Sequence, residues 1–148
     1  MRLFSPIPLS LSILWLVSAC AAAPPPCVTP LPDPATGAVH PVAGQLAAYN
    51  DRHIDLFVSY FHPEVELFVQ GETAPFLKGQ AALRETYSAM FKVSPRLNCV
   101  VARRIVAGDF VIDEERVTGL RDGPPVHAVA IYELRHGKIV RAWFLRGR

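Results

Sequence analysis

Two acidic residues on one apolar run are the strongest chemical signal in the sequence. The run Phe110–Leu120 alternates as a β-strand does, and Asp113 and Glu115 fall on the same side of it as Val111 and Val117. Carboxylates two residues apart on a strand have Cα atoms roughly 6.5–7 Å apart. In a site partly shielded from water they would repel each other, which raises the pKa of at least one of them. Such a carboxyl could act as a general acid or base near neutral pH.

Three further side chains could assist this chemistry. His127, on the run Val126–Leu134, shares a strand face with Val129 and Ile131, and it could shuttle a proton. Tyr49 could supply a hydroxyl from a helix. Arg146, which has the strand parity of Phe144, could pair with a carboxylate or bind an anionic group of a ligand at the rim of a pocket. The sequence therefore predicts Asp113, Glu115 and His127 as catalytic candidates.

Structural roles compete with each of these assignments. Asp113 and Glu115 could form ion pairs with Arg103 or Arg104 on the adjacent strand. The strand parity could also be reversed, so that Glu114 and its alternate neighbours face inward. Tyr49 and His127 could be ordinary packing residues. The direction in which Asp113 and Glu115 point thus decides between an enzyme and a binding domain.

The elements around these residues follow an α+β order. Val42–Phe61 has helical periodicity with a break at 50–52, and Gly79–Lys92 is a second helix. Glu64–Val69 alternates as a strand. Four β-rich runs follow, at Leu97–Val106, Phe110–Leu120, Val126–Leu134 and Lys138–Leu145. Turn residues separate these runs, which predicts an antiparallel meander with helices on one face, closing a cone around an internal pocket.

The first 49 residues differ from the rest, since they carry only two of the 28 charged side chains. Residues 1–20 have the layout of an export signal, and Val17–Cys20 is similar to a bacterial lipobox, which predicts lipidation of Cys20. Cleavage without lipidation, or an uncleaved anchor, are the alternatives. Residues 21–41 are rich in proline and predict an extended linker. Residues 42–148 then form one domain, exported and held in the cell envelope or released as a soluble protein.

Composition argues against several classes of protein. The net charge of +2 and the lack of a basic stripe argue against nucleic-acid binding. No local spacing of histidines, cysteines and carboxylates suits a metal, and there is no phosphate-binding loop, so we predict neither a metal nor a cofactor. Cys27 could pair with a second chain or with Cys99 in an oxidising compartment, but both thiols are expected to remain unpaired, with Cys99 in the core. The membrane is a predicted partner only through the lipid anchor.

Several segments, taken in order, carry a resemblance to a known family. They include Tyr60-Phe61-His62-Pro63-Glu64-Val65-Glu66, Lys78-Gly79-Gln80-Ala81-Ala82-Leu83 and Ala130-Ile131-Tyr132-Glu133-Leu134. Over about residues 44–146 the chain resembles the nuclear transport factor 2-like superfamily, in particular its SnoaL-like and ketosteroid-isomerase-like branch. The resemblance implies a cone-shaped α+β barrel, often a homodimer, around an apolar pocket. Members include isomerases, dehydratases and cyclases as well as binding domains, so the fold does not choose the function.

The resemblance also implies roles for individual positions. Aligned with ketosteroid isomerases, the general-base aspartate falls on Val69, the proton-donating acid on Val129, and the tyrosine near Gln45. Valine cannot exchange a proton, which argues against steroid isomerisation by that mechanism. The residues expected to bind a ligand are Tyr49, Val69, Val117, Val129, Ile131, Phe144 and Arg146.

Three functional hypotheses follow. The first is cofactor-free isomerisation, dehydration or cyclisation of a small, largely apolar molecule. The second is binding of such a molecule without turnover. The third is an interaction domain that uses the outer face of the sheet, where Trp143 is expected because its parity is opposite to that of Phe144. An exposed aromatic group there predicts a homodimer.

Overall fold

The computed structural model describes residue 37 and residues 39–146, with side chains to residue 145. The predicted signal and Cys20, most of the predicted linker and Cys27 lie outside the described residues. The helices are α1 (Val39–Asn50), α2 (Ile54–Ser59) and α3 (Gly79–Lys92). The strands are β1 (Phe61–Val69), β2 (Leu77–Lys78), β3 (Asn98–Ala107), β4 (Phe110–Thr118), β5 (Val126–Arg135) and β6 (Lys138–Arg146). A short 3-10 helix, Leu120–Asp122, joins β4 to β5. No helix in this part of the chain is long and apolar enough to cross a membrane.

The helical region begins earlier and ends earlier than the sequence predicts. Helix α1 starts at Val39, inside the predicted linker, and Pro41 is buried in its first turn, where a missing N–H is tolerated. The predicted break is confirmed: α1 ends at Asn50 and α2 starts at Ile54, where His53 Nδ1 accepts a hydrogen bond from the backbone N–H of Leu56 at 3.2 Å.

The second correction concerns the end of the helical region, since β1 already begins at Phe61. Pro63 disfavours helical geometry in the residue before it. The chain is therefore extended there, and Phe61 pairs with Ile139 of β6.

The six strands form one sheet in the order β2-β1-β6-β5-β4-β3. Strands β3 to β6 form the predicted antiparallel meander. The expectation of a wholly antiparallel sheet is wrong at one place, because β1 runs parallel to β6. A parallel pair needs a long connection, and here α3 and four strands (β2 to β5) lie between its two members.

The sheet has an inner face, which packs against the three helices, and an outer face, which does not. The core between helices and inner face contains Phe57, Leu67, Leu83, Val111 and Ile139, all essentially inaccessible to solvent. The side chain of Asn50 ties the end of α1 to β3, since it donates to the carbonyl of Cys99 at 2.9 Å and accepts from the N–H of Cys99 at 2.7 Å. Cys99 is a buried free thiol.

Candidate active site

Asp113 and Glu115 both lie on the inner face of β4, as the alternation predicts. Their exposed fractions are 0% and 7%. Their cross-strand neighbours on β5 are Ala130 and Ala128. The reversed parity considered for this strand is therefore wrong, and Glu114 is on the outer face.

The two carboxylates have different partners. Asp113 forms a two-pronged ion pair with Arg104, in which Nε donates to Oδ1 at 2.7 Å and Nη2 donates to Oδ2 at 2.6 Å. Both side chains are nearly inaccessible to solvent. The pKa of Arg104 is raised, because the hydrogen bonds and the charge of Asp113 outweigh the lowering effect of burial. Asp113 is thus an anchored anion, and of the two predicted ion pairs the one with Arg104 is confirmed.

A bulge in β3 selects Arg104 over Arg103. Val101 pairs with Glu115, but Arg103 pairs with Glu114, so one extra residue is accommodated between Val101 and Arg103. A bulge of this kind changes the faces to which the following residues point. Arg104 is consequently turned inward, and Arg103 is left 84% exposed at 3.8 Å from Glu114.

Glu115 has a hydroxyl partner in place of a cation. Tyr132 on β5 donates its hydroxyl to Oε1 of Glu115 at 3.0 Å, and Gln45 of α1 donates from Nε2 to the hydroxyl oxygen of Tyr132 at 3.2 Å. All three residues are buried. Tyr132 and Gln45 were not predicted to be functional. Two signals in the sequence could have identified them. Gln45 is a polar residue on the buried side of α1, and Tyr132 has the strand parity opposite to that of His127.

Burial is the main cause of the unusual acidity of Glu115. It raises the pKa of this carboxyl, and with the charge of Asp113 it outweighs the lowering effects of Tyr132, Arg104 and the Cys99 thiol, giving a pKa of about 7. The same environment raises the pKa of Tyr132 well above its usual value, first through burial and then through the charge of Glu115. Near neutral pH Glu115 therefore exists in both protonation states, as a general acid or base requires.

The structure does not bring His127 to this cluster, which corrects the prediction. His127 pairs with Arg116 across β4 and β5, and its Nε2 lies 2.9 Å from Oε1 of Glu114 on the outer face. Val129 and Ile131 share this face with it, so their expected role as pocket residues is also wrong. The connection from β4 to β5 sets this register, with positive φ at Arg121 and Asp122.

The remaining predicted ligand residues occupy different places. Val117 is buried on the inner face beyond Glu115, and Tyr49 packs among aromatic rings, with its ring centroid 5.6 Å from that of Phe91. Val69 and Phe144 pair across β1 and β6 at the rim, where Val69 is 50% exposed. Arg146 pairs through its backbone with Ala128, and its side chain is outside the described part.

The two surface depressions found among the described residues do not coincide with the expected internal pocket. These depressions, of about 300 and 280 Å³, lie near the β5–β6 turn, and none of the predicted pocket residues lines either of them. Access to Glu115 would have to come from the rim, where aromatic rings lead inward. The rings of Phe76 and Phe144 have centroids 6.4 Å apart, as do those of Phe144 and Tyr132. Among the described residues, no three side chains of His, Cys, Asp or Glu come together as a metal site requires.

These features define a class of protein: an α+β domain with helices on one face of a six-stranded mixed curved sheet and a buried polar cluster between them. The chain belongs to the SnoaL-like domain family, whose model matches residues 42–142. The fold is nuclear transport factor 2-like, as the resemblance implied. No functionally curated protein matches the chain.

Solved structures are similar to this chain in fold. An uncharacterised cystatin-fold protein from Novosphingobium aromaticivorans has 24% identity and a TM-score of 0.69, over 75% of this chain and 99% of that chain. A proposed polyketide cyclase from Sinorhizobium meliloti has 20% identity and a TM-score of 0.62, over 72% and 94% of the two chains. A proposed ketosteroid isomerase from Kribbella flavida has 16% identity and a TM-score of 0.63, over 75% and 78%. Relatives with different proposed activities thus share one fold.

Proposed function

We propose that the domain catalyses cofactor-free proton transfer on a small, largely apolar molecule, with Glu115 as the acid/base group. The observation that carries this proposal is the buried Glu115 carboxyl, whose pKa is about 7 and whose Oε1 is held by Tyr132. Asp113 is left out of the reaction, because Arg104 occupies both of its oxygens. His127 is left out because it lies on the outer face.

The side chains at the rim suit the binding of an apolar ligand. Phe76 is 55% exposed, Val69 is 50% exposed, and both lie next to the half-buried Phe144. A ring or short apolar chain that displaced Phe76 and Phe144 would replace aromatic contacts with its own and approach Glu115 over the small side chains of Ala128 and Ala130.

The chemical step is balanced without any co-reactant. Ionised Glu115 takes a proton from a carbon next to a carbonyl, the C–H electron pair moves into the new C=C bond, and the carbonyl π pair moves to its oxygen, giving an enolate. Glu115 then returns the proton to the same carbon or to another one, which gives exchange or isomerisation. Apolar surroundings suit this step, because they keep the base poorly solvated.

Exchange of the α-protons of 2-tetralone in deuterated buffer, followed by proton NMR, tests the proposal. We expect exchange at least about 10²-fold faster than in buffer alone, rising with pH to a plateau with a midpoint near 7. Glu115→Gln should abolish the acceleration. Glu114→Gln, the same change on the neighbouring outer-face residue, should preserve it. Equal rates for the wild-type domain and Glu115→Gln would contradict the proposal.

A second candidate, an interaction domain, is favoured by the outer face. An apolar row of cross-strand partners crosses five strands on this face. We call it the outer row, and it consists of Ile105, Ile112, Ile131, Trp143 and Phe68. The rings of Phe68 and Trp143 stack with centroids 5.7 Å apart, and Ile105 is 60% exposed. We propose that a second copy of the chain covers this row, giving a homodimer in either functional version.

We also propose that the chain is exported and anchored in the cell envelope through a lipid on Cys20. The support is the sequence of residues 1–20 alone. Cys20→Ala in the full-length chain should move the domain from the membrane to the soluble fraction, because a single protein–lipid linkage would then be lost. Cys27→Ala is the matched control. Continued membrane fractionation of Cys20→Ala would contradict the anchor.

A further inference from the structure

We infer that Gln45 and Tyr132 form a directed hydrogen-bond chain that holds Oε1 of Glu115 and leaves Oε2 as the oxygen that exchanges a proton with the ligand. The inference rests on the proposed function and assigns positioning roles to two residues. The three members come from three elements, α1, β5 and β4, so only the folded domain assembles them.

Counting protons fixes the direction of the chain. The Tyr132 hydroxyl has one proton, and an ionised carboxylate can only accept, so this proton is donated to Oε1 of Glu115. The hydroxyl oxygen then has only lone pairs to offer Gln45. Gln45 must therefore present its amide nitrogen, which is the orientation found at 3.2 Å. Because α1 buries this side chain, the amide is held in place by the helix.

The other groups around Glu115 do not offer an equivalent chain. The charged and titratable groups that face it are Cys99 and Arg104 from β3, Asp113 from β4 and Tyr132 from β5. Helix α1 contributes the neutral Gln45, and Tyr87 of α3 faces Tyr132. Arg104 is engaged by Asp113, and the Cys99 thiol is a weak donor. Tyr132 is thus the strong donor to this carboxyl.

The hydrogen-bond chain remains intact whether Glu115 is protonated or ionised, but the bond from Tyr132 is stronger when Glu115 is ionised. With a proton on Oε2, Oε1 still accepts from Tyr132 as a carbonyl oxygen. With Glu115 ionised the same hydrogen bond is charge-assisted and therefore stronger. The chain consequently favours the ionised base and counteracts burial. Gln45 acts one step further away, because a donor on the hydroxyl oxygen polarises the O–H bond that Tyr132 offers.

Titration of Glu115 tests the inference without requiring turnover. The probe is the side-chain carboxyl carbon, observed by NMR in protein labelled with ¹³C-glutamate and assigned from the signal missing in Glu115→Gln. Tyr132→Phe should move the midpoint upward by about one pH unit or more, because it removes a hydrogen bond to an ion. Gln45→Met, which keeps the volume but has no donor, should produce a smaller upward shift. Tyr60→Phe, the same chemical change on α2's C-terminal side, should leave the midpoint unchanged.

The outcomes distinguish a failure of the hydrogen-bond chain from a failure of the proposed function. An upward shift in Tyr132→Phe and Gln45→Met but not in Tyr60→Phe supports the chain, and the pH profile of 2-tetralone exchange should then shift in parallel. An unchanged midpoint in Tyr132→Phe overturns the chain even when the wild-type domain exchanges protons. If Tyr132→Phe fails to fold, an unchanged midpoint in Gln45→Met overturns it. The expected shifts without exchange in the wild-type domain preserve the chain and overturn the proposed function.

Discussion

The two faces of the sheet carry different groups, since the inner face buries charged residues within an apolar core and the outer face leaves an apolar row uncovered by helices. The inner face has a row of cross-strand partners, Arg104, Asp113, Ala130, Phe144 and Val69, which we call the inner row. Directly beside it, on the other side of the same strands, is the apolar outer row. Charges are thus buried where helices cover the sheet, and aliphatic and aromatic groups lie on the face that the helices leave uncovered.

Two pairs of identical residues, adjacent in sequence, allow the two faces to be compared directly. Arg103 and Arg104, and Glu114 and Glu115, are neighbours in sequence with opposite environments. The outer members form exposed pairs, Glu114 with His127 and with Arg103. The inner members form the buried ion pair and the buried hydrogen-bond chain. Coulomb and hydrogen-bond energies are larger where water is absent, so identical substitutions should have different consequences on the two faces.

The largest difference is expected for the two arginines. Arg104→Ala leaves Asp113 buried without its partner and should reduce the free energy of unfolding by about 3–5 kcal/mol. Arg103→Ala should change it by less than about 0.5 kcal/mol, because that side chain is exposed. Urea denaturation measures both. Similar losses in the two variants would remove the energetic distinction between the faces.

The next effect is the dependence of stability on pH. Because the pKa of Glu115 is about 7 when folded and 4.5 in the reference state, the folded protein binds more protons between these values. Stability is therefore greatest below about pH 4.5 as far as this group is concerned, falls as pH rises, and has lost about 3 kcal/mol above pH 7. Glu115→Gln should be more stable than the wild-type domain at pH 8 and should lack this slope.

Glu114→Gln is the control for this slope, and it should keep the pH dependence of the wild-type protein. Urea denaturation at several pH values from 5 to 8 gives the comparison. A flat profile for the wild-type domain, or a slope that persists in Glu115→Gln, would assign the titration to another group.

A smaller effect on folding, but a clear one on assembly, is expected at the outer row. Trp143→Glu places a charge in the proposed dimer surface and should convert a dimer into a monomer in sedimentation at tens of micromolar, with folding preserved. Leu56→Glu alters a side chain of α2 that is 43% exposed and should leave the dimer intact. A wild-type monomer at this concentration would contradict the homodimer.

The smallest effect is expected for the exposed acid–imidazole pair. His127→Ala removes a partner of Glu114 whose own side chain is 54% exposed, so the free energy of unfolding should change by less than about 1 kcal/mol. The rate of 2-tetralone exchange should not change. A loss of exchange in this variant would indicate that His127 takes part in catalysis.

Local patterns predicted much of the fold, since they depend on neighbouring residues. Helix α3 has the predicted bounds, and the predicted strands after it agree with β3 to β6 within two residues at each end. The predicted turn between the last two strands is also confirmed, since its residues His136 and Gly137 both have positive φ. Two features required information from further along the chain: the early start of β1, which pairs with β6, and the parallel direction of that pair.

The candidate site was predicted only in part, for a geometric reason. Alternation placed Asp113 and Glu115 on one face correctly, but it did not relate that face to the faces of β3 and β5. A register change of one residue exchanges the two faces of a strand. The bulge before Arg103 and the irregular connection before Val126 each set such a register, and the alternation within a strand contains neither of them.

The sequence by itself therefore determined the order of helices and strands, the family and the shared face of the two carboxylates, because each follows from short-range periodicity or from matching segments. Tertiary structure decided which groups those carboxylates meet. Arg104, Tyr132 and Gln45 reach the site from β3, β5 and α1, and no local pattern contains the bulge, the strand register and the helix packing that bring them together. In the assembled domain Arg104 engages both oxygens of Asp113, and burial raises the pKa of the Glu115 carboxyl to about 7.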